Sequence, residues 1–154
     1  MRGVTDGRPQ PRLRLLAGAA VAATLALLGG TALAKSKKTT WRTVTQAVLK
    51  LNNHPVKTWN VYQPAKNHNL VLVQVDKRWL VIDTKARRVY RADRGDFAAH
   101  GDDLVGPEPD EHSAVVATEG WDMRDVGPAE QINVRLTDGG DVLSIQLPHP
   151  INPY

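Results

Sequence analysis

Between His100 and His112 the chain reads "HGDDLVGPEPDEH", two imidazoles bracketing five carboxylates. His100, Asp102, Asp103, Asp110 and His112, with Glu108 and Glu111 beside them, are imidazole and hard oxygen donors of the kind that divalent cations take. Their spacing does not match a known ligand set. Zinc enzymes of the HExxH type place two His one helical turn apart, whereas here twelve positions and two prolines separate them. A calcium loop alternates Asp or Asn around a Gly and closes on a bidentate Glu, an order missing from this stretch. The expectation is therefore an acidic surface connection without a bound metal. Divalent-cation binding through residues 100–112 is the alternative.

Catalytic constellations are not visible. There is no GxSxG and no Gly-rich phosphate loop, and Ser occurs only at 36, 113 and 144. Without Cys the chain has neither a thiol nucleophile nor a Cys-based zinc or haem site. His54, His68 and His149 are scattered beside Pro or Asn in expected loops. No catalytic residue and no cofactor are assigned, and the chain is expected not to be an enzyme. A small extracytoplasmic hydrolase, built from residues far apart in sequence, is the enzymatic alternative.

The first 34 residues have the layout of a secretory signal peptide. Arg2, Arg8, Arg12 and Arg14 form a positive start, "LLAGAAVAATLALL" is an uncharged apolar run, and "ALA" (32–34) is a small-x-small cleavage site. Cleavage after Ala34 is expected, with retention as a membrane anchor the alternative reading of the same run. The four Arg against Asp6 carry most of the excess positive charge of the chain. The high isoelectric point is thus a property of the leader and does not imply nucleic-acid binding.

The rest of the chain is sharply divided. Residues 35–94 hold 14 Lys and Arg against three Asp, a net of +11, while residues 95–154 hold two Arg against 12 carboxylates, a net of −10. The basic run 85–94 is accordingly expected to face the acidic residues 100–125 of its own chain. About 120 residues can bury a modest core without disulfides.

Periodicity supplies the elements. Trp41, Val44, Ala47, Val48 and Leu51 recur at helical spacing, with Asn52-Asn53 and Pro55 as a stop, so a helix with one apolar face is expected. Segments 56–63, 69–75, 79–83 and 87–91 are β-branched and aromatic, and read as strands. Those at 69–75 and 79–83 are apolar on both faces and should be central, with 87–91 at an edge. Strands resume at 113–118 and, more weakly, at 121–126. In the final pair Ile132, Val134 and Leu136, then Leu143, Ile145 and Leu147, alternate with polar neighbours around "DGGD". Trp59, Tyr62, Trp79, Tyr90 and Trp121 are expected to fill core and not to line a groove.

These readings give an α+β domain over 35–154: an N-terminal amphipathic helix packed on an antiparallel meander of about six strands, as a roll or partly open barrel. An acidic loop at about 94–113 and an extended Pro-rich tail complete it. The expected function is that of an exported binding or interaction protein, periplasmic or secreted. Its partner is an envelope or extracellular protein or ligand, not nucleic acid, and it touches membrane only through the signal segment.

Overall fold

The computed structural model describes residues 37–149. The segment expected to be a signal peptide and residues 150–154 of the tail lie outside the described residues. The described residues belong to one compact unit.

The expected helix is replaced by strands. The described residues are 58% strand and 3% helical, in two antiparallel sheets of 8 and 5 strands, with no helix packed on a meander. The large sheet is built from β1 (Lys38–Thr43), β4 (Trp59–Pro64), β5 (Leu70–Val75), β6 (Arg78–Asp83), β7 (Arg88–Ala92), β8 (Ala98–His100), β9 (Asp103–Pro107) and β10 (Val115–Ala117). Its order is β10-β7-β6-β5-β4-β1-β9-β8. The small sheet holds β2 (Val48–Leu51), β3 (His54–Pro55), β11 (Asp122–Val126), β12 (Ala129–Arg135) and β13 (Val142–Pro148), in the order β11-β12-β13-β2-β3.

The residues read as a helix form β1, a turn and β2 because local chemistry favours extension. Thr39, Thr40, Thr43, Val44, Thr45 and Val48 are β-branched, which restricts χ1 in a helix and suits a pleated surface. Val48 separates the two readings. A helical stripe would bury it, but in β2 it is 46% exposed while Ala47 and Leu49 point inward. Asn52 and Asn53, read as a helix stop, both take positive φ (51° and 69°) and make the two-residue turn that joins Leu51 to His54. Positive φ at both central positions is the type I′ requirement, and Asn tolerates it.

The two sheets enclose the main core. Val61, Val71, Val73, Val75, Leu80, Ile82 and Val89 of the large sheet pack with Leu49, Ile132, Val134, Leu143, Ile145 and Leu147 of the small one. The final pair alternates as expected, and none of its six inward residues exceeds 2% exposure. Gly139 and Gly140 take positive φ in the connection between β12 and β13.

As expected, β5 and β6 are central, but strands cover both of their faces. Their second face joins a separate core of Trp41, Tyr62, Leu70, Leu72, Trp79, Val81, Phe97 and Leu104. Phe97, just before the edge strand β8, stacks on Trp79 of β6 with centroids 5.8 Å apart. The large sheet therefore curls over itself. The guanidinium of Arg94 caps the stack 5.4 Å from the Trp79 ring. Tyr62 and Trp79 are buried, and Trp59, Tyr90 and Trp121 pack against the cores. The basic strand β7 is not an edge, because β10 pairs outside it.

Candidate functional site

The stretch 100–112 does not converge on a metal site. Its first half is a hairpin: His100 pairs with Asp103, and Gly101 turns the chain at φ 64°. Asp103 Oδ1 accepts from the Thr43 backbone N–H at 3.3 Å, and the Asp102 carbonyl accepts from the Thr43 hydroxyl. Asp110 Oδ1 accepts from the His112 N–H at 2.9 Å and from the Ser113 hydroxyl at 3.2 Å, closing a local turn. Glu111 lies 3.6 Å from its neighbour His112, both highly exposed. His100, Asp102, Asp103, Asp110 and His112 share no ligand cluster among the described residues.

Nor does this acidic stretch hold the basic run. Arg91 pairs with Asp138, and Arg78 with Asp141 at 2.5 Å, so the acidic partners lie in the β12–β13 connection. Strand β7 of the basic run does lie beside part of 100–125, where it pairs with β10, but among the described residues no ion pair joins 85–94 to 100–125. Strand pairing and a local turn bring Asp103 and Asp110 to backbone donors, where the charge count alone placed the acidic stretch opposite the arginines.

A different cluster is assembled at one end of the sandwich. Asp125, Glu130 and His149 each offer a ligand atom within 4.8 Å of the others. Strand register explains why they meet. Asp125 stands opposite Glu130 in the β11–β12 ladder, and Glu130 stands opposite Leu147 in the β12–β13 ladder. Leu147 is buried in the main core, so all three occupy its face of the small sheet. His149 lies two residues beyond Leu147, and its N–H donates to the Pro128 carbonyl at 3.2 Å, which anchors it against the β11–β12 turn. Polar residues thus take core-facing positions where the main core ends.

There the two sheets part around a cleft of about 300 Å³. Met123, Glu130, Leu147, Pro148 and His149 line it from the small sheet, opposite Gln63, His68, Asn69 and Thr84 of the large one. Nε2 of His149 lies 3.9 Å from an Asp125 carboxylate oxygen, and Nδ1 lies 3.9 Å from Glu130. Asp125 is open to solvent, whereas His149 and Glu130 are half-buried. The hydroxyl of Thr84 is already committed, donating to the Asn69 carbonyl at 3.0 Å.

This arrangement suits a cation better than acid–base or nucleophilic work. A metal takes one imidazole nitrogen, and a carboxylate on the other nitrogen fixes the tautomer and ring orientation. Here Asp125 faces Nε2 and Glu130 faces Nδ1, each at 3.9 Å, so a cation on the Nε2 side has a carboxylate beside it and a second carboxylate stands on the Nδ1 side of the ring. An imidazole with carboxylates suits divalent transition cations, with water filling the remaining positions. Sequence reading assigned no role to Asp125, Glu130 or His149. A signal for two of them was present: the alternation 132, 134, 136 extends back to Glu130, and 143, 145, 147 extends on to His149.

No family model matches the chain, and neither the curated proteins nor the solved structures compared with it contain a match.

Proposed function

We propose that the chain is an exported, non-catalytic binding protein of the envelope or extracellular space, and that it takes a divalent transition cation at the open end of its sandwich. Asp125 and His149 Nε2 bind the cation, and Glu130 orients the imidazole through Nδ1. The observation that carries this reading is the placement of three potential ligands at core-facing positions, within 4.8 Å of one another. The signal-peptide layout of residues 1–34 supports export.

A small metal-dependent hydrolase is the second reading, favoured by an imidazole and a carboxylate, His149 and Glu130, lining the cleft with Asp125 beside them. Binding is preferred because the cleft offers no free nucleophile: it contains no Ser or Cys, and its Thr84 hydroxyl is engaged. Catalysis would have to rely on metal-activated water alone.

Calorimetric titration of the exported, processed chain with zinc and manganese tests the proposal. A single equivalent should bind, His149→Ala and Asp125→Ala should abolish binding, and Glu130→Gln should weaken it about 10- to 100-fold. His100→Ala with His112→Ala should change nothing. Binding that survives His149→Ala, or no stoichiometric binding, contradicts the assignment. Turnover of ester or phosphoester substrates by the metal-loaded protein would favour the hydrolase. N-terminal sequencing should find Lys35 first, and a membrane-embedded product starting near residue 1 would refute the expected processing.

A further inference from the structure

Among the described residues, the fold gathers several cations without a carboxylate partner on one surface. Arg78, Arg91 and Arg124 each have a carboxylate partner. Lys38, Arg42 and Lys66 have none among the described residues. Residues 35–75 contain no carboxylate, the first beyond them being Asp76. Everything built from residues 37–75, including β1, β4 and β5, is therefore free of acidic side chains.

Strand pairing places these cations on one surface. Trp41 is wholly buried, so its neighbours Thr40 and Arg42 point to the opposite face of β1. Thr40 pairs with Val105 and Lys38 with Pro107, while Trp41 pairs with Pro64, whose following turn supplies Lys66. His100 arrives beside them through the β8–β9 hairpin. Lys38, Thr40, Arg42, Lys66 and His100 together line a groove of about 520 Å³. Asp103 is the one carboxylate in the groove lining, and one of its oxygens accepts from the Thr43 backbone N–H.

We infer that this groove binds a phosphate group, carried by a phosphodiester such as a lipid headgroup or by a free soluble phosphate. Arg42 supplies a planar fork that matches two phosphate oxygens, Lys38 and Lys66 supply point charges, and Thr40 supplies a hydroxyl donor. The field responsible is local. Beyond the leader the chain's opposite charges nearly cancel, so a phosphate is drawn to this surface and not to the molecule as a whole. The inference is independent of the cation site, which uses other residues at the end of the other sheet.

Two probes test it on the exported, processed chain: NMR titration with inorganic phosphate, and co-sedimentation with vesicles of phosphatidylglycerol against phosphatidylcholine. Shift changes should centre on Thr40, Arg42, Lys66 and His100, and binding should weaken as salt rises. Arg42→Gln with Lys66→Gln should reduce binding by about tenfold. The control pair Lys50→Gln with Lys57→Gln removes the same charge elsewhere and should leave binding intact. All four side chains are exposed, so the denaturation midpoint should not move in either pair. Response to phosphate and to phosphatidylglycerol alike assigns the phosphate group itself, and response to the anionic vesicles alone assigns the headgroup. Equal losses in the two variant pairs, or no response to either probe, would overturn the inference.

Discussion

Asp125 and Glu130 stand directly opposite each other across the β11–β12 ladder, on the side of the sheet that carries Leu147. Like charges at facing positions destabilise a sheet, by roughly 0.2–1 kcal/mol for an ordinary cross-strand pair. A cation shared by a carboxylate and the His149 imidazole, which lies 3.9 Å from each carboxylate, would offset that repulsion. The arrangement makes sense as a site held ready for positive charge.

Its first consequence concerns stability without metal. Asp125→Asn removes the like-charge pair, so the metal-free variant should be as stable as wild type or more stable, by up to about 1 kcal/mol. The same variant should lose any rise in melting temperature on adding zinc, because stabilisation by a ligand requires binding to the native state. Paired denaturation curves with chelator and with zinc measure both effects. A variant equally destabilised in both conditions would mean that Asp125 has a structural role.

The final hairpin gives a packing prediction. Leu143 and Ile145 are fully buried between the sheets, so Leu143→Ala or Ile145→Ala should cost about 2–5 kcal/mol. Ser144 and Gln146 point to the other face, and Ser144→Ala or Gln146→Ala should fall within about 0.5 kcal/mol of neutral. Urea melts of the four variants decide it, and equal penalties would contradict the facing.

Gly106 has a steric reason to be glycine. A Cβ built there would meet Phe97 Cε1 at 2.7 Å and Cγ at 2.9 Å, with Cδ1 closer still. Phe97 cannot easily yield, since it is stacked on Trp79 and set edge-on to Trp41 at 6.3 Å. Gly106→Ala should therefore cost about 1–3 kcal/mol, the range for overpacking. Combining it with Phe97→Leu should give a sub-additive loss. Additive penalties in a double-mutant cycle would place the strain elsewhere.

Asp141 gives a pH prediction. Its carboxyl lies below the usual carboxylate range, first because Asn52 Nδ2 donates to it at 2.9 Å and then because of the Arg78 guanidinium. A depressed folded value means that the contribution is present above the unfolded carboxylate range, near pH 4, and is lost as pH falls through the folded value. Wild-type melting temperature should thus decline below about pH 4 more steeply than that of Asn52→Ala. Parallel acid limbs in the two proteins would remove Asn52 as the main cause.

Several individual strands were legible, but the two-sheet architecture was not, and the helix expected over 41–51 is strand and turn. Clean period-2 runs such as 132–136 and 143–147 admit a single reading, because a one-residue slip exposes every apolar side chain. Trp41, Val44, Ala47, Val48 and Leu51 match the helical period, and the strand β2 shows itself only in the exposure of Val48 beside buried Leu49. The candidate site was half legible. Glu130 and His149 continue apolar alternations, but Asp125 reaches them only through the register set by the Gly127-Pro128 turn, where Val126 pairs with Ala129. The acidic run 100–112 drew attention by composition, yet its backbone forms a hairpin and a local turn, and its side chains do not converge.

The most direct test of the cation site is anomalous scattering from crystals of the protein soaked in zinc, with data collected on both sides of the zinc absorption edge. A single strong peak is expected about 2.0–2.2 Å from His149 Nε2 and from an Asp125 oxygen, with Glu130 on the Nδ1 side of the ring. A peak at His100 or His112, or none beside His149, would contradict the account.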